Sequence, residues 1–202
     1  MKILNKHKTK VIYASSSEVY GDNIDAKEDD IIKLIPKNNN YSIQKLMTEE
    51  LLKAYDIPHI IVRFFNISGN NQSKNFVIPR FVEKAKNNED IIVYYNDECP
   101  NGSFRTFMDI RDTVEVLEKL IFLDDNEEII NVGNDENILD MHSLAEKIKA
   151  YFNSESQIIL KKQRENEIKL RKPNIRKMIE LTRYKPKYNI IDIIRNIDEA
   201  DS

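Results

Sequence analysis

Short apolar stretches with the make-up of buried strands alternate with helix-period stretches along this 202-residue chain. No other feature narrows its fold as much. Lys10–Ser16, His59–Phe65 ("HIIVRFF", entered after Pro58), Ile91–Tyr95, Glu128–Val132 and Gln157–Leu160 read as strands. Tyr41–Ala54, Phe76–Lys86, Ile110–Phe122 and Met141–Phe152 read as helices between them, and Asn174–Thr182 and Ile190–Ile197 as closing helices. The spacing puts Ile43, Leu46, Met47 and Leu51 or Leu52 on the inward face of the first helix, and Val114, Leu117, Leu120 and Ile121 on that of the third. Strands that alternate with helices predict an α/β fold around a parallel sheet. There is no internal repeat and no long linker. The long polar loops, Asp22–Asn40 and Asn96–Ser103, are of the kind that border active sites in such folds.

Composition excludes several function classes. A net charge of −3 gives no electrostatic case for nucleic acid or an anionic membrane. No apolar run approaches the ~18 residues of a membrane span. "MKILNKHKTK" lacks the apolar core of a secretory signal. The lone Cys99 excludes an internal disulfide and fits a reducing compartment, so a cytoplasmic location is expected. His7, His59 and His142 are scattered and give no metal-ligand spacing. The four glycines, Gly21, Gly69, Gly102 and Gly133, are also far apart. Phosphate-cradling loops need clustered glycines, because backbone must approach the phosphate with no side chain in the way.

Two stretches carry chemistry. "VIYASSSEVYGD" reads as a buried strand that ends in three serines and breaks at Gly21. "NNNYSIQKLMTEELLKAY" sets Tyr41 and Lys45 four apart, on one face of a helix start. A cation one turn from a tyrosine favours the phenolate and fits the phenol for general-base work. On spacing alone, a solvated helix start is the more ordinary reading of this pair.

The order of several segments adds a resemblance. "ASSSEVYGD", "YSIQK", "VRFFNISGNNQ", "FVIPRFV", "FRTFMDIRDTVEVL", "IINVGN" and "LRKPNIRKMIELTRYKP" occur in the order of matching segments in the extended short-chain dehydrogenase/reductases. The chain resembles the NAD-dependent sugar-nucleotide epimerases, dehydratases and decarboxylases of that family, from about residue 10 to about residue 190. The resemblance implies an incomplete Rossmann-like parallel sheet plus a small α/β substrate-binding domain. Residues 1–70 would be the C-terminal part of the Rossmann-like domain. Residues 71–202 would be mainly the sugar-nucleotide region, with some segments returning to the sheet.

It also implies roles. Tyr41 would take the proton of the sugar 4-hydroxyl. Lys45 would support the phenolate and hydrogen-bond the nicotinamide ribose, so these two would be the cofactor contacts. Ser16 would share the proton, and Ser17 would line the sugar site. Asn66, Arg105 and Arg164 would hold the diphosphate, for which a guanidinium fork is well suited. Gln44 stands where the family has a small residue, and "YYNDECPNGSF" is longer than the usual loop. Dehydratases carry an acid at the position of Ser17, so dehydration is not expected. Ser17-Glu18, with Arg171 to meet a sugar carboxylate, is similar to UDP-glucuronate decarboxylases, yet the same segment occurs in plain epimerases. A UDP-sugar 4-epimerase is the first expectation and a decarboxylase the alternative.

In the family, several βαβ units with a glycine fingerprint precede the serine strand, about 100 residues at ~30 per unit. Here that strand begins at about residue 10. The chain is therefore expected to be a truncated or split form without useful NAD affinity of its own. It would be completed by a complementing N-terminal half chain or would form a homodimer. The remaining alternative is a non-catalytic remnant that binds a nucleotide sugar or a partner.

Overall fold

A computed structural model describes residues 6, 9–21, 23–32, 40–124, 127–162 and 170–200. Its centre is a three-stranded parallel sheet of β1 (Val11–Ser16), β3 (His59–Phe64) and β8 (Glu128–Val132), in the order β1–β3–β8. The middle strand β3 is buried from His59 to Arg63, as its near-continuous apolar run requires of a strand covered on both faces. The register sets Ser15 opposite Arg63 and Ser16 opposite Phe64. All three strands therefore end at the same edge, where the chain turns out of the sheet.

Helix α1 (Asn40–Ala54) follows the long loop after β1 and packs along β1. Helix α2 (Val77–Lys86) leads into β5 (Ile91–Tyr95). Helix α3 (Ile110–Ile121) is started by Asp109, whose carboxylate accepts from the Arg111 amide. Asp140 caps α4 (Met141–Phe152) through the Ser143 amide, and Asn153 closes it in the left-handed conformation. Strand β10 (Ile158–Lys162) pairs parallel with β5. Helices α5 (Arg176–Thr182) and α6 (Ile190–Ala200) end the chain.

Among the described residues two large apolar cores result, beside two smaller clusters around Val19 and Phe65 and around Leu52 and Ile61. One is built by α2, α4, α6 and β5 from side chains such as Phe81, Ile91, Leu144, Ile148 and Ile193. The other joins β3 and β8 to α3 and α5 through Ile60, Val62, Val116, Ile130 and Met178.

The observed elements match the expected α/β alternation to within a few residues, but six short strands had no pattern to reveal them. These are β2 (Asp25–Ala26), β4 (Ile67–Ser68), β6 (Phe104–Thr106), β7 (Met108–Asp109), β9 (Ile138–Asp140) and β11 (Leu170–Pro173). Each has two to four residues, too few to show a period of two. They form a four-stranded sheet, β2–β11–β6–β9, and a pair, β4–β7. Strand β2 lies inside the expected loop Asp22–Asn40, held there by parallel pairing with β11.

Two expected helix faces are corrected. Met47 of α1 is exposed, whereas Ser42 and Glu49 are buried; of the alternatives Leu51 and Leu52, Leu52 is the inward one. The sheet opposite offers polar partners to Glu49, so a charged side chain takes an inward position. Val114 and Ile121 of α3 are exposed, whereas Asp112, Thr113, Val116 and Leu120 are buried. Asp112 accepts from the Tyr184 hydroxyl at 2.7 Å and from the Lys187 and Tyr188 amides, which turns its side of the helix inward.

Candidate active site

The C-terminal ends of β1 and β3 open into a cavity of about 550 Å³. Clefts outside the carboxyl ends of parallel strands are the general ligand position in open α/β sheets. Ser16 ends β1 and caps the single 3₁₀ turn Ser17–Tyr20, its hydroxyl accepting from the Glu18 amide at 3.2 Å. The turn stops at Gly21, whose φ of 61° is in the left-handed region. Ser15, Ser16, Ser17 and Glu18 all line the cavity, and the three serines are almost wholly buried.

Helix α1 brings Tyr41 and Lys45 to the same cavity. Tyr41 is 49% exposed, so its phenol is open to a ligand. The Lys45 ammonium donates to the Ala14 carbonyl at 2.7 Å and lies 5.5 Å from the centre of the Tyr41 ring and 5.2 Å from that of Tyr13. That anchor fixes the cation between strand and tyrosine. The three groups singled out from sequence, Ser16, Tyr41 and Lys45, thus all line one cavity.

The cavity is also lined by Asn66, Ser68, Gln72, Phe76, Phe107 and Arg171. Asn66 donates its amide to the Thr106 carbonyl at 2.9 Å. Gln72 is braced by the Ser68 hydroxyl at 2.5 Å and the Ile67 carbonyl at 2.9 Å. Its loop fits closely against α3: a Cβ on Gly69 would lie 2.2 Å from Ile110 Cγ2, so only glycine is tolerated there. Arg171, on β11, reaches toward Glu18 with 3.7 Å between Nη1 and Oε1. These two come from distant segments, and both face the cavity.

Arg105 is brought beside Arg171 by the β6–β11 pairing, but it is not in the cavity wall and donates to the Phe104 carbonyl at 2.7 Å. Arg164 lies outside the described residues. Gln72, Phe76 and Phe107 were not singled out from sequence. Gln72 ends the segment "VRFFNISGNNQ", which was a usable signal, but the two phenylalanines look like any core aromatic until the chain is folded. Among the described residues no group of three or more His, Cys, Asp or Glu side chains is placed to hold a metal ion. No helix among them is long and apolar enough to cross a membrane.

Residues 1–133 match the NAD dependent epimerase/dehydratase family. The chain belongs to that family. It is 31% identical over 197 residues to a UDP-N-acetyl-alpha-D-glucosaminuronate decarboxylase of Bacillus cytotoxicus, covering 90% of this chain and 60% of that protein. It is 28% identical over 191 residues to UDP-glucuronic acid decarboxylase 5 of Arabidopsis thaliana, covering 90% of this chain and 54% of the relative. A UDP-glucuronic acid 4-epimerase of Bacillus cereus, solved with UDP-glucuronic acid and NAD, superposes with a TM-score of 0.84 at 22% identity, over 98% of this chain and 64% of that one. This last likeness is one of fold. The chain thus spans somewhat more than half the length of these three proteins.

Proposed function

We propose that this chain carries the catalytic and sugar-binding part of a nucleotide-sugar enzyme that begins by oxidising the sugar at C4, with 4-epimerisation as its overall reaction. The observation that carries this reading is the convergence of Ser16, Tyr41 and Lys45 on one cavity at the strand ends. Tyr41, open to the cavity, takes the proton of the 4-hydroxyl, and the Ser16 hydroxyl relays it. The Lys45 ammonium stabilises the phenolate that forms. On this reading Tyr41 and Lys45 would contact the nicotinamide ribose of NAD; when bound, that cofactor accepts the hydride from C4. Epimerisation then asks for the keto sugar to turn over and for the same hydride to return to the opposite face of C4; a cavity of about 550 Å³ supports this reading. The relatives are longer than this chain, so the activity is assigned to the chain together with the remainder of such a fold, as a complementing half chain would supply it.

A second reading, decarboxylation of a UDP-hexuronate, is favoured by the Arg171–Glu18 pair in the cavity wall. Arg171 suits a sugar carboxylate. Oxidation at C4 places the ketone β to that carboxylate. The bond to the carboxylate carbon then breaks, its electrons pass to the enolate, CO₂ leaves and C5 is reprotonated. The two decarboxylase relatives support this reading.

One experiment separates them. The chain, fused to or mixed with a dinucleotide-binding half, is given NAD with UDP-glucose or UDP-glucuronate. UDP-galactose or UDP-galacturonate without CO₂ means epimerase. CO₂ from UDP-glucuronate, with Arg171→Ala weakening that substrate far more than UDP-glucose, means decarboxylase. Tyr41→Phe should slow either reaction by about 10²–10⁴-fold. Near-normal turnover by the Phe variant would remove Tyr41 from the mechanism.

A further inference from the structure

Directly beneath the cavity lies a fully buried charged cluster with no part in the proton relay. Glu49 is 0% exposed and Arg63 is 2% exposed. Their ion pair is bidentate, with Arg63 Nη2 2.6 Å from Glu49 Oε2 and Nε 3.2 Å from Oε1. Glu49 Oε1 also accepts from the Ser15 hydroxyl. The other arm of the Arg63 guanidinium donates at 2.9 Å to the Tyr20 hydroxyl, which donates at 2.7 Å to Asn131 of β8.

The placement of these links is specific. Glu49 follows Tyr41 and Lys45 at the same four-residue interval, so all three lie along one face of α1. Lys45 bonds the Ala14 carbonyl and Glu49 the neighbouring Ser15 side chain. Through Arg63, Glu49 also reaches Tyr20, at the far end of the 3₁₀ turn that Ser16 begins. The turn carrying Ser16, Ser17 and Glu18 is therefore gripped on both sides by one carboxylate–guanidinium pair, whose carboxylate is carried by the helix that presents Tyr41 and whose guanidinium is carried by the central strand β3. Hydrophobic residues of the same volume stabilise a fold at least as well as a buried ion pair does. What such residues lack is direction, and oriented hydrogen bonds of Ser15, Glu49, Arg63 and Tyr20 meet here, with one more from Arg63 to the Glu28 carbonyl at 3.4 Å.

We infer that Glu49 and Arg63 are positioning residues, which fix the serine turn against the tyrosine–lysine helix. The mechanical statement stands by itself; its value to catalysis rests on the reading of the site given above. The test uses the full chain and needs no turnover. In the double variant Glu49→Leu/Arg63→Met the pair is replaced by apolar residues of similar size. Thermal unfolding is measured with amide hydrogen exchange, resolved by residue.

The expected result is an unfolding midpoint close to that of the parent chain. Exchange should be at least about tenfold faster in Ser16–Tyr20 and unchanged at Ile60, Ile61 and Val62. Parent-like exchange in Ser16–Tyr20 would overturn the inference. So would faster exchange everywhere in step with a lowered midpoint, which would make the pair a plain stabiliser. Should the double variant not fold, Ser15→Ala decides: faster exchange confined to Ser16–Tyr20 supports the inference, and unchanged exchange overturns it. In the completed enzyme, a fall in kcat with KM unchanged would extend the result to catalysis. A parent-like kcat beside loosened exchange would tell against the assigned role of Ser16 and leave the clamp standing.

Discussion

The cluster beneath the cavity and the core between α2, α4 and α6 are equally buried but are built from opposite chemistry. The helical core is made of Ile, Val, Leu, Phe and Ala side chains, whose attraction has no direction. The ground below the cavity is made of Ser15, Glu49, Arg63, Tyr20 and Asn131, each tied to the next by a hydrogen bond. The first arrangement holds mass together and tolerates change of shape. The second holds a few atoms in fixed places and tolerates no missing partner. In this molecule the candidate site stands on the second kind.

The contrast is broken most readily at Arg63. Arg63→Ala alone leaves Glu49 buried, charged and unmatched, which is expected to destabilise the chain by about 3–5 kcal/mol in urea unfolding. A loss under about 1 kcal/mol would mean that water reaches Glu49, and the comparison between the two cores would fail.

A smaller effect is expected from pH. Burial, opposed by the Arg63 charge, pushes the Tyr20 phenol up to about 12 from 10.0. The folded chain therefore keeps this proton where the unfolded chain has released it. The corresponding stability is complete below pH 10 and is lost as the pH rises from 10 to about 12. Two units correspond to about 2–3 kcal/mol. Urea titrations between these pH values should show a steeper loss for the parent chain than for Tyr20→Phe. Equal slopes would mean that the phenol is not buried in solution.

The least effect is expected in the helical core. Ile193, wholly buried on α6, loses one methylene in Ile193→Val, at an expected cost of about 0.5–1.5 kcal/mol. Hydrogen exchange at Ser16–Tyr20 should not change beyond that amount. Selective loosening of the serine turn by this distant substitution would show that the two cores act as one unit.

Much of the molecule was legible beforehand, and particular residues show where legibility ends. The long strands and helices declare themselves by period, so β3, β5, β8 and α4 were placed to within a residue. Ser16, Tyr41 and Lys45 were legible as an ordered set of segments, and folding brings them to one cavity. Arg63 was a signal left unread: a guanidinium in the apolar strand "HIIVRFF" must have a buried partner. Its partner, Glu49, looked like one charged residue among several on an amphipathic helix. The outward turn of Met47 follows from that same pairing. The approach of Arg171 to Glu18 joins residues some 150 positions apart and had no local trace.

The sequence by itself determined the alternation of elements, the family and the serine, tyrosine and lysine segments that meet at the cavity. Each of these is written in neighbouring residues, in periods of two and 3.6 and in short spaced motifs. Only the tertiary structure decided which charges are buried, which apolar side chains face outward, and that the serine turn rests on an ion pair between a helix and the central strand. Burial and hydrogen-bond geometry depend on what lies opposite in space. Strand pairing across tens of residues sets that opposition, and no short stretch of the chain records it.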